Sequence, residues 1–230
     1  MEYQAEFLER IERTPAAVSY RFKRAADLQF IAGQYMLVDL GDELIHPLSL
    51  SDCPEETGFI EFTKRMTGSP YCQRLEALNQ GDTVMVKGPA GKFYFEPPDN
   101  NSLVLIAGGI GITPIRSILK SLAKTKQPLC RIILLYGNLN RDDIAFRTEL
   151  ENLTLPDYRL VHVLADISGM AHAYQGLIDA DIIAREVPAS SNACYMISGP
   201  PAMVEALKKA LATINVAADR IRIDVFSGYA

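Results

Sequence analysis

The sequence predicts a two-domain protein, with an N-terminal antiparallel β-barrel and a C-terminal α/β domain built on a doubly wound, five-strand parallel sheet. Short strand-like runs fill the first part of the 230-residue chain, whereas apolar strands alternate with helices in the remainder. Between the two patterns, residues 97–101 form a cluster of turn formers, as linkers commonly do. We therefore place the domains at residues 1–98 and 99–230.

The strands predicted for the barrel are short segments bounded by turn formers. Val18, Tyr20 and Phe22 alternate with polar residues, which is typical of a strand with one buried face. Three further segments of this kind are residues 35–40, 59–62 and 83–86. A helix is expected to interrupt the series near Pro70, and the close spacing of the strands favours a small barrel.

Five apolar runs separated by helical patterns predict the parallel sheet of the second domain. These runs are residues 103–107, 131–136, 160–164, 193–197 and 221–225. Asp179 is expected to cap one helix, and another follows residues 200–201 with apolar side chains at helical spacing. We interpret the apolar stripes of these helices as core.

The segment 103–114 is the strongest local signal in the chain. An all-apolar strand runs into Gly108, Gly109 and Gly111, and Thr113 is expected to cap a helix that begins with Pro114. Glycines let backbone amides approach a ligand closely, and a helix N-terminus offers unpaired N–H donors and a positive dipole end. The turn therefore suits the pyrophosphate of a dinucleotide, although its spacing differs from the G-x-G-x-x-G fingerprint.

The charge and the cysteine pattern argue against several classes of protein. The formal net charge of -5 and the lack of any basic stripe disfavour a nucleic-acid-binding protein. No apolar run reaches about 18 residues and the N-terminus has no apolar leader, so a soluble, cytoplasmic protein without a membrane span is expected. The 4 cysteines form no C-x-x-C pair, so we expect reduced thiols and no metal site.

Seven segments, taken in order, resemble the ferredoxin–NADP reductase superfamily. They are residues 32–35, 46–49, 88–91, 108–114, 136–138, 198–203 and 226–229. The resemblance covers nearly the whole chain and points to short members without an iron–sulfur domain, such as flavin reductases and oxygenase reductase modules. It implies a flavin in the barrel, FAD or else FMN, with NADH or NADPH in the second domain and hydride transfer between them.

On the flavin side, the resemblance implies two phosphate-binding segments and a hydroxyl group that faces the ring. The residues it assigns there are Tyr35, His46, Pro47, Leu48, Ser49, Lys64, Gly68, Ser69 and Cys72. His46 stands where relatives have an arginine and Leu48 where they have an aromatic ring, and both differences are expected to weaken flavin binding. Lys64 or Arg65 is expected to restore the missing charge. Ser49 is predicted to be catalytic because its hydroxyl would face flavin N5.

On the nicotinamide side, the resemblance implies a set of residues at the ends of the parallel strands. They are Gly108, Gly109, Gly111, Thr113, Gly137, Asn138, Arg141, Gly199, Pro200 and Met203. Ser198 is the second predicted catalytic residue, beside nicotinamide C4. Leu139, where NADPH users tend to place an arginine, favours NADH, whereas Arg141 is near enough in sequence to contact a 2′-phosphate. Phe226 and Tyr229 either shield the flavin or simply pack as a tail.

The residues described above are consistent with three functions. The leading interpretation is an NAD(P)H-dependent flavoprotein oxidoreductase that passes electrons to a ferredoxin, an oxygenase component or another redox protein. A flavin reductase that uses free flavin as its substrate is favoured by His46 and Leu48. The third function is that of a flavin- and nucleotide-binding subunit of a larger redox complex, without turnover of its own.

Overall fold

The computed structural model describes residues 1–96, 102–126, 131–188 and 192–226. The predicted domain boundary after residue 98 lies outside these ranges, as do Cys130 and Tyr229. Within them, no helix combines the length and apolarity needed to cross a membrane.

The first sheet is a six-stranded antiparallel barrel. Its strands are β1 (Glu2–Thr14), β2 (Ala17–Lys23), β3 (Tyr35–Asp39), β4 (Ile45–Ser49), β5 (Phe59–Arg65) and β6 (Thr83–Ala90), in the order β4-β3-β6-β1-β2-β5. A bridge between Leu50 and Phe62 joins the two edge strands. The helix predicted near Pro70 is α1 (Pro70–Glu76), and it covers the opening beside this bridge with Tyr71 and Leu75 in the barrel core.

The second sheet has six parallel strands, not the five that the sequence predicts. Its strands are β7 (Leu103–Gly108), β8 (Ile132–Asn138), β9 (Tyr158–Leu164), β10 (Tyr174–Gln175), β11 (Cys194–Gly199) and β12 (Ile221–Val225), in the order β10-β9-β8-β7-β11-β12. The additional strand, β10, pairs through only two residues with β9. A strand of two residues is too short to show an alternating pattern of apolar and polar residues, so the sequence does not predict it.

Helices cover both faces of this sheet. They are α2 (Ile112–Thr125), α3 (Arg147–Glu151), α4 (Ala180–Glu186) and α5 (Pro201–Thr213), with short 3-10 turns at Gly109–Gly111, Arg141–Asp143 and Ala218–Arg220. Every residue of β7 is buried, as expected for a central parallel strand. Asp179 caps α4 as predicted, accepting the backbone N–H of Ile182 at 2.9 Å. Because all strands are parallel, their carboxyl ends meet at one edge.

The helix after the glycine turn begins earlier than the sequence predicts. Its N-cap is Gly111 and not Thr113, because the Gly109–Gly111 turn continues directly into α2. Thr113 lies inside the first helical turn, where its buried hydroxyl donates to the carbonyl oxygen of Ile110 at 2.7 Å. Pro114 follows it within that turn, where a missing N–H costs no helical hydrogen bond.

Residues from the barrel half of the chain complete the core of the second domain. Ala32 and Phe93 are buried in the same apolar cluster as Ile118 of α2. Gly33, at a φ of +98°, allows this close packing, since a Cβ there would stand 2.0 Å from the carbonyl oxygen of Phe93. The two domains therefore share a buried apolar interface.

Candidate active site

The side chains of His46 and Lys64 converge on one aromatic ring of the barrel, that of Tyr71. The ring of His46, on β4, stacks against Tyr71 of α1 with 4.0 Å between centroids. The ammonium group of Lys64, on β5, lies 5.7 Å from the centroid of the same ring. Beside them, Ser69 caps α1 by accepting the backbone N–H of Cys72 at 3.3 Å. These groups offer the donors and positive charge that a phosphate requires.

Burial and neighbouring charges shift the pKa values of three groups in this cluster. Partial burial and the positive charge of Lys64 lower the pKa of His46, so its imidazole is neutral at pH 7. Burial also lowers the pKa of Lys64, with the thiol of Cys72 opposing that shift. Hydrogen bonds from Ser69 and Thr67, with the charge of Lys64, outweigh burial and hold the pKa of Cys72 below its usual value.

Strand β5 presents alternate residues to two different surroundings. Ile60 and Phe62 belong to the barrel core, and Lys64 continues that face toward Tyr71. Glu61 and Arg65 lie on the opposite face, toward the second domain. Because side chains of a strand alternate, the neighbours Lys64 and Arg65 cannot serve the same phosphate group. Of the two cations that the sequence offers, Lys64 lies beside His46 and Tyr71, whereas Arg65 lines the cleft of the second domain.

A cleft of about 500 Å³ opens at the carboxyl edge of the parallel sheet. Its walls include the glycine turn, the ends of β8, β9 and β11, the start of α5, and the barrel residues Thr14, Ala16, Ala17 and Arg65. Of the residues that the resemblance assigns to the nicotinamide nucleotide, those lining the cleft are Gly108, Gly109, Gly111, Gly137, Asn138, Gly199, Pro200 and Met203; Phe226, expected to shield the flavin or pack as a tail, lines it as well. The cleft therefore gathers most of that set in one place.

Three glycines are packed closely at this end of the cleft. A Cβ at Gly111 would lie 2.2 Å from the backbone carbonyl oxygen of Ser198, which cannot move aside, so this position requires glycine. At Gly108 and Gly199 a Cβ would meet the flexible end of the Met203 side chain, at 2.2 Å and 2.5 Å. Backbone that lies this open to the cleft lets a phosphate approach the backbone amides.

Ser198 ends strand β11 beside this turn. It is fully buried, and its hydroxyl oxygen has no hydrogen-bond partner in the described part of the chain. An unpaired buried hydroxyl is costly, so a bound group that pairs with it would recover this cost. Phe226, whose backbone N–H donates to the carbonyl oxygen of Gly199 at 3.1 Å, borders the same end of the cleft.

The far end of the cleft is apolar. Leu139 and Leu177 line it while remaining 60% and 82% exposed, which is unusual for leucine. Arg141, which the resemblance assigns to the nucleotide, is not among the lining residues, and its guanidinium lies against the backbone at Gly169. Asp143 is instead the charged residue of the second domain on this wall.

Other predicted flavin residues occupy varied surroundings. Leu48 is buried in the barrel core opposite Met36, its partner on β3, whereas Pro47 is exposed. Ser49 is buried, and it pairs across the strands with Tyr35, whose ring rests on Gly91. Thr113 is buried under the glycine turn and, like Gly68 and Ser69 of the α1 turn, lies outside the large cleft.

The sequence reasoning missed Asp224. This residue, on β12, pairs with Ser198 and lines a second cavity of about 270 Å³ together with Tyr35 and Gly91. Burial raises its pKa to about 6. The signal that could have identified it is a carboxylate two residues before Phe226, in a strand where apolar residues alternate with Arg222 and Asp224.

The site as a whole fits two cofactors. Donors and positive charge gather around Tyr71 on the barrel, and a glycine-lined cleft, with the buried hydroxyl of Ser198 beside it, lies at the carboxyl edge of the parallel sheet. Within the described residues no group of three potential ligands could hold a metal ion. A fold of this type with these two sites defines a flavin- and nicotinamide-dependent oxidoreductase.

Comparison with known proteins agrees with this class. Residues 8–95 match an oxidoreductase FAD-binding domain, and residues 105–209 match an oxidoreductase NAD-binding domain. Among solved structures, an Amycolatopsis cytochrome P450 reductase superposes with a TM-score of 0.86 at 26% identity, over 100% of this chain and 71% of that one. The chain belongs to the ferredoxin–NADP reductase superfamily.

Two curated relatives illustrate its range. An NADH-cytochrome b5 reductase 1 of Dictyostelium discoideum is 30% identical over 179 residues, which cover 76% of this chain and 63% of the relative. The reductase component 1 of terephthalate 1,2-dioxygenase from Comamonas is 27% identical over 203 residues, covering 86% and 60%. The chain thus spans only 50% to 63% of the length of such relatives.

Proposed function

We propose that this protein is an NAD(P)H-dependent flavin oxidoreductase that delivers electrons to a redox protein. The observation that carries the proposal is the presence of two complementary sites in one chain, a cluster of hydrogen-bond donors and positive charge on the barrel and a glycine-lined cleft at the edge of the parallel sheet. Lys64 and His46 mark the flavin-phosphate side, and the glycine turn marks the dinucleotide side. Such an arrangement brings a nicotinamide and a flavin together while each remains held by its own domain.

When bound, the flavin supplies the hydride-accepting centre and releases electrons singly or in pairs. The chain's own residues orient the reactants and exclude water. Ser198 and Ser49 are proposed to place hydroxyl groups against the reacting rings, and both are buried. Phe226 is proposed to cover the site at the mouth of the cleft, where a nicotinamide must enter.

Asp224 is proposed to hold a proton near this site. Its raised pKa, about 6, keeps a fraction of the carboxyl protonated near neutral pH, and its strand partner is Ser198. A carboxyl group poised in this range is suited to proton transfer during turnover. We propose it as the proton-carrying group of the inter-domain space.

The electron acceptor is proposed to be a one-electron carrier such as a ferredoxin, a cytochrome or an oxygenase component. The support is the range of relatives, whose names include cytochrome b5 and a dioxygenase. A second candidate is a reductase of free flavin. His46, neutral at pH 7 where relatives carry arginine, favours it because a weaker phosphate contact lets the flavin leave.

An anaerobic titration of the purified protein with NADH and with NADPH tests the proposal. We expect a yellow protein whose flavin absorbance bleaches with one equivalent of reduced nucleotide and recovers with ferricyanide. A colourless protein that reduces added flavin supports the second candidate instead. A yellow protein that neither nucleotide reduces contradicts both and indicates a non-turnover subunit.

A further inference from the structure

One carboxylate is shared by residues of both domains. The Glu61 side chain, fully buried on β5, accepts hydrogen bonds from Arg13 at 3.0 Å, Arg21 at 2.8 Å and Arg116 at 2.7 Å. Arg13 and Arg21 belong to the barrel, whereas Arg116 lies on α2 of the second domain. Three guanidinium groups on one carboxylate form a strong, directional cluster.

Arg116 uses every part of its guanidinium group. Its Nη1 donates to the backbone carbonyl of Ser51 at 2.7 Å as well as to Glu61. Its Nε and Nη2 donate to the carboxylate of Glu149 on α3, at 3.0 Å and 2.8 Å. The face of the group lies 4.2 Å from the ring centroid of Phe146, and that of Arg13 lies 4.8 Å from the same centroid.

The partners of Arg116 lie close in sequence to residues assigned to the two cofactor sites. Ser51 follows Ser49, the last residue of β4, by two residues. Arg116 itself stands five residues after Gly111, in the helix that begins at the glycine turn. Phe146 follows Ala145, which lines the dinucleotide cleft. A displacement of Arg116 would therefore move both sites relative to one another.

The Glu61 cluster fixes the relative orientation of its residues more than it adds to the free energy of unfolding. Glu61 is 0% exposed and Arg116 is 3% exposed. Burial would raise the pKa of Glu61, but the charges of Arg116, Arg13 and Arg21 outweigh it and keep the pKa below its usual value. Buried ion pairs add little net stability because of the cost of desolvation, yet each contact fixes a direction.

We propose that Arg116 and Glu61 are positioning residues that set the distance between the flavin and nicotinamide sites. Their role rests on the proposed function, since it is the hydride-transfer geometry that they fix. Neither is proposed to contact a cofactor. The consequence of loosening the cluster is slower transfer with cofactor affinities retained.

Stopped-flow reduction of the flavin-loaded full chain by NADH tests this inference, with Arg116→Gln, Arg116→Lys and Lys120→Gln as variants. The method gives the limiting reduction rate and the NADH dissociation constant separately. We expect Arg116→Gln to lower the limiting rate at least about tenfold while changing the dissociation constant less than about threefold, since misplacement by about 1 Å can cost on the order of 100-fold. Arg116→Lys, which keeps the charge but not the planar fork, should be intermediate.

Lys120→Gln is the matched control. Lys120 lies on the same helix and pairs with Glu56 of the barrel half at 2.8 Å, so it also joins the domains, but one turn farther from the glycine turn. It reaches the Glu61 cluster only through a longer contact, 3.8 Å, with Glu149. Its limiting rate should stay within about twofold of the parent. Equal rates for Arg116→Gln and Lys120→Gln would overturn the proposal, as would a loss confined to NADH affinity or flavin content.

Hydrogen exchange of the flavin-free protein supplies a readout independent of turnover. Arg116→Gln should speed exchange at residues 50–53 and 109–118, whereas Lys120→Gln should not; unchanged protection in both would contradict the inference. If Arg116→Gln does not fold, Glu149→Gln removes the partly exposed end of the cluster and should still lower the limiting rate about threefold. A parent protein that NADH and NADPH cannot reduce contradicts the proposed function, while the exchange data still test the positioning role.

Discussion

At the scale of single residues, we propose that Lys64 and His46 together take the place of one arginine in the flavin-phosphate site. Burial lowers the pKa of both side chains, and the charge of Lys64 lowers that of His46 further. The proposal rests on their positions on facing strands around Tyr71. The sequence could suggest this pair but not choose between Lys64 and Arg65, because the choice depends on which face of β5 points inward.

Replacing Lys64 by glutamine should weaken flavin binding about tenfold or more, because a charge-assisted contact to phosphate contributes roughly 1.5–3 kcal/mol. Fluorescence titration of the flavin measures the dissociation constant. Lys23→Gln, which removes an exposed lysine from the same barrel, is the control. Equal affinities of the two variants would show that Lys64 does not contact the phosphate.

Flavin affinity of the parent should rise as the pH falls. Lys64 and burial lower the pKa of His46 in the free protein, and a bound phosphate would raise it, so binding takes up a proton. Affinity should increase as the pH falls through the bound-state pKa and level off below the lowered free-state pKa. Titrations between pH 5 and pH 8 check this, and His46→Gln should abolish the dependence; a flat profile in the parent would assign His46 to packing alone.

Asp224→Asn should stabilise the flavin-free protein at pH 7 more than at pH 5. Burial raises the folded-state pKa of Asp224 to about 6, above the unfolded value of 3.8. Folding therefore takes up a proton, and the stability contributed is complete below about pH 4 and is lost as the pH rises through 6. Thermal unfolding at both pH values measures the effect, with the exposed Asp219→Asn as control. Equal shifts at pH 5 and pH 7 would contradict the raised pKa.

At the scale of elements, the glycine turn is the feature that the sequence predicts most clearly, and β10 is the one that it predicts least. An apolar run, three glycines and a Thr-Pro pair specify strand, turn and helix by local chemistry alone. The helix start was still misplaced, because the conformation of Gly109–Gly111 depends on its packing against Ser198 and Gly199. Contacts between residues distant in sequence therefore determine where this helix begins, and local propensity alone does not.

Gly111→Ala should destabilise the protein by roughly 1–3 kcal/mol, the usual cost of overpacking, and weaken ADP-ribose binding at least about tenfold. Its Cβ would meet the backbone at Ser198, which cannot rotate away as a side chain would. Urea unfolding and calorimetric titration are the measurements. Gly41→Ala, outside the cleft and with open space around it, is the control for ADP-ribose affinity, which it should leave unchanged. Retained ADP-ribose affinity in Gly111→Ala would place the dinucleotide elsewhere.

The loop after β8 should give a preference for NADH over NADPH. Leu139 and Asp143 line the cleft there, while Arg141 is turned against Gly169, so a 2′-phosphate would meet no placed cation in this loop. The value of kcat/KM for NADPH should not exceed that for NADH, and Leu139→Arg should raise the NADPH value about tenfold, or roughly 1.4 kcal/mol. Steady-state kinetics decide this; a parent enzyme at least tenfold better with NADPH would point to Arg141.

At the scale of the whole molecule, the sequence predicts the folds of the two domains but not the contacts between them. Strand spacing and the change to alternating strands and helices predict both folds. The contact between the domains depends on the ion pair of Glu61 with Arg116, two residues that are 55 positions apart in sequence. Read locally, Glu61 is one polar residue in an alternating strand, and only the assembled fold reveals it as buried and shared.

The two domains should unfold in a single transition. Ala32 and Phe93 complete the second core, and the Glu61 cluster crosses the same boundary, so neither domain can open without exposing buried groups of the other. Far-ultraviolet circular dichroism and release of flavin fluorescence should give coincident urea midpoints. Two resolved transitions, with the flavin lost in only one, would show that the domains are energetically independent.

The alternation along β5 limits how this protein can change over evolution. Because Lys64 and Arg65 face opposite sides, a one-residue deletion within Phe59–Arg65 would reverse every side chain beyond it, sending the core residues outward and exchanging the two cations. Substitutions at Lys64 or Arg65 can adjust one site without the other, whereas insertions and deletions must be confined to the loops. Length variation among descendants should therefore collect in the segments that flank this strand, and the strand itself should keep a constant number of residues.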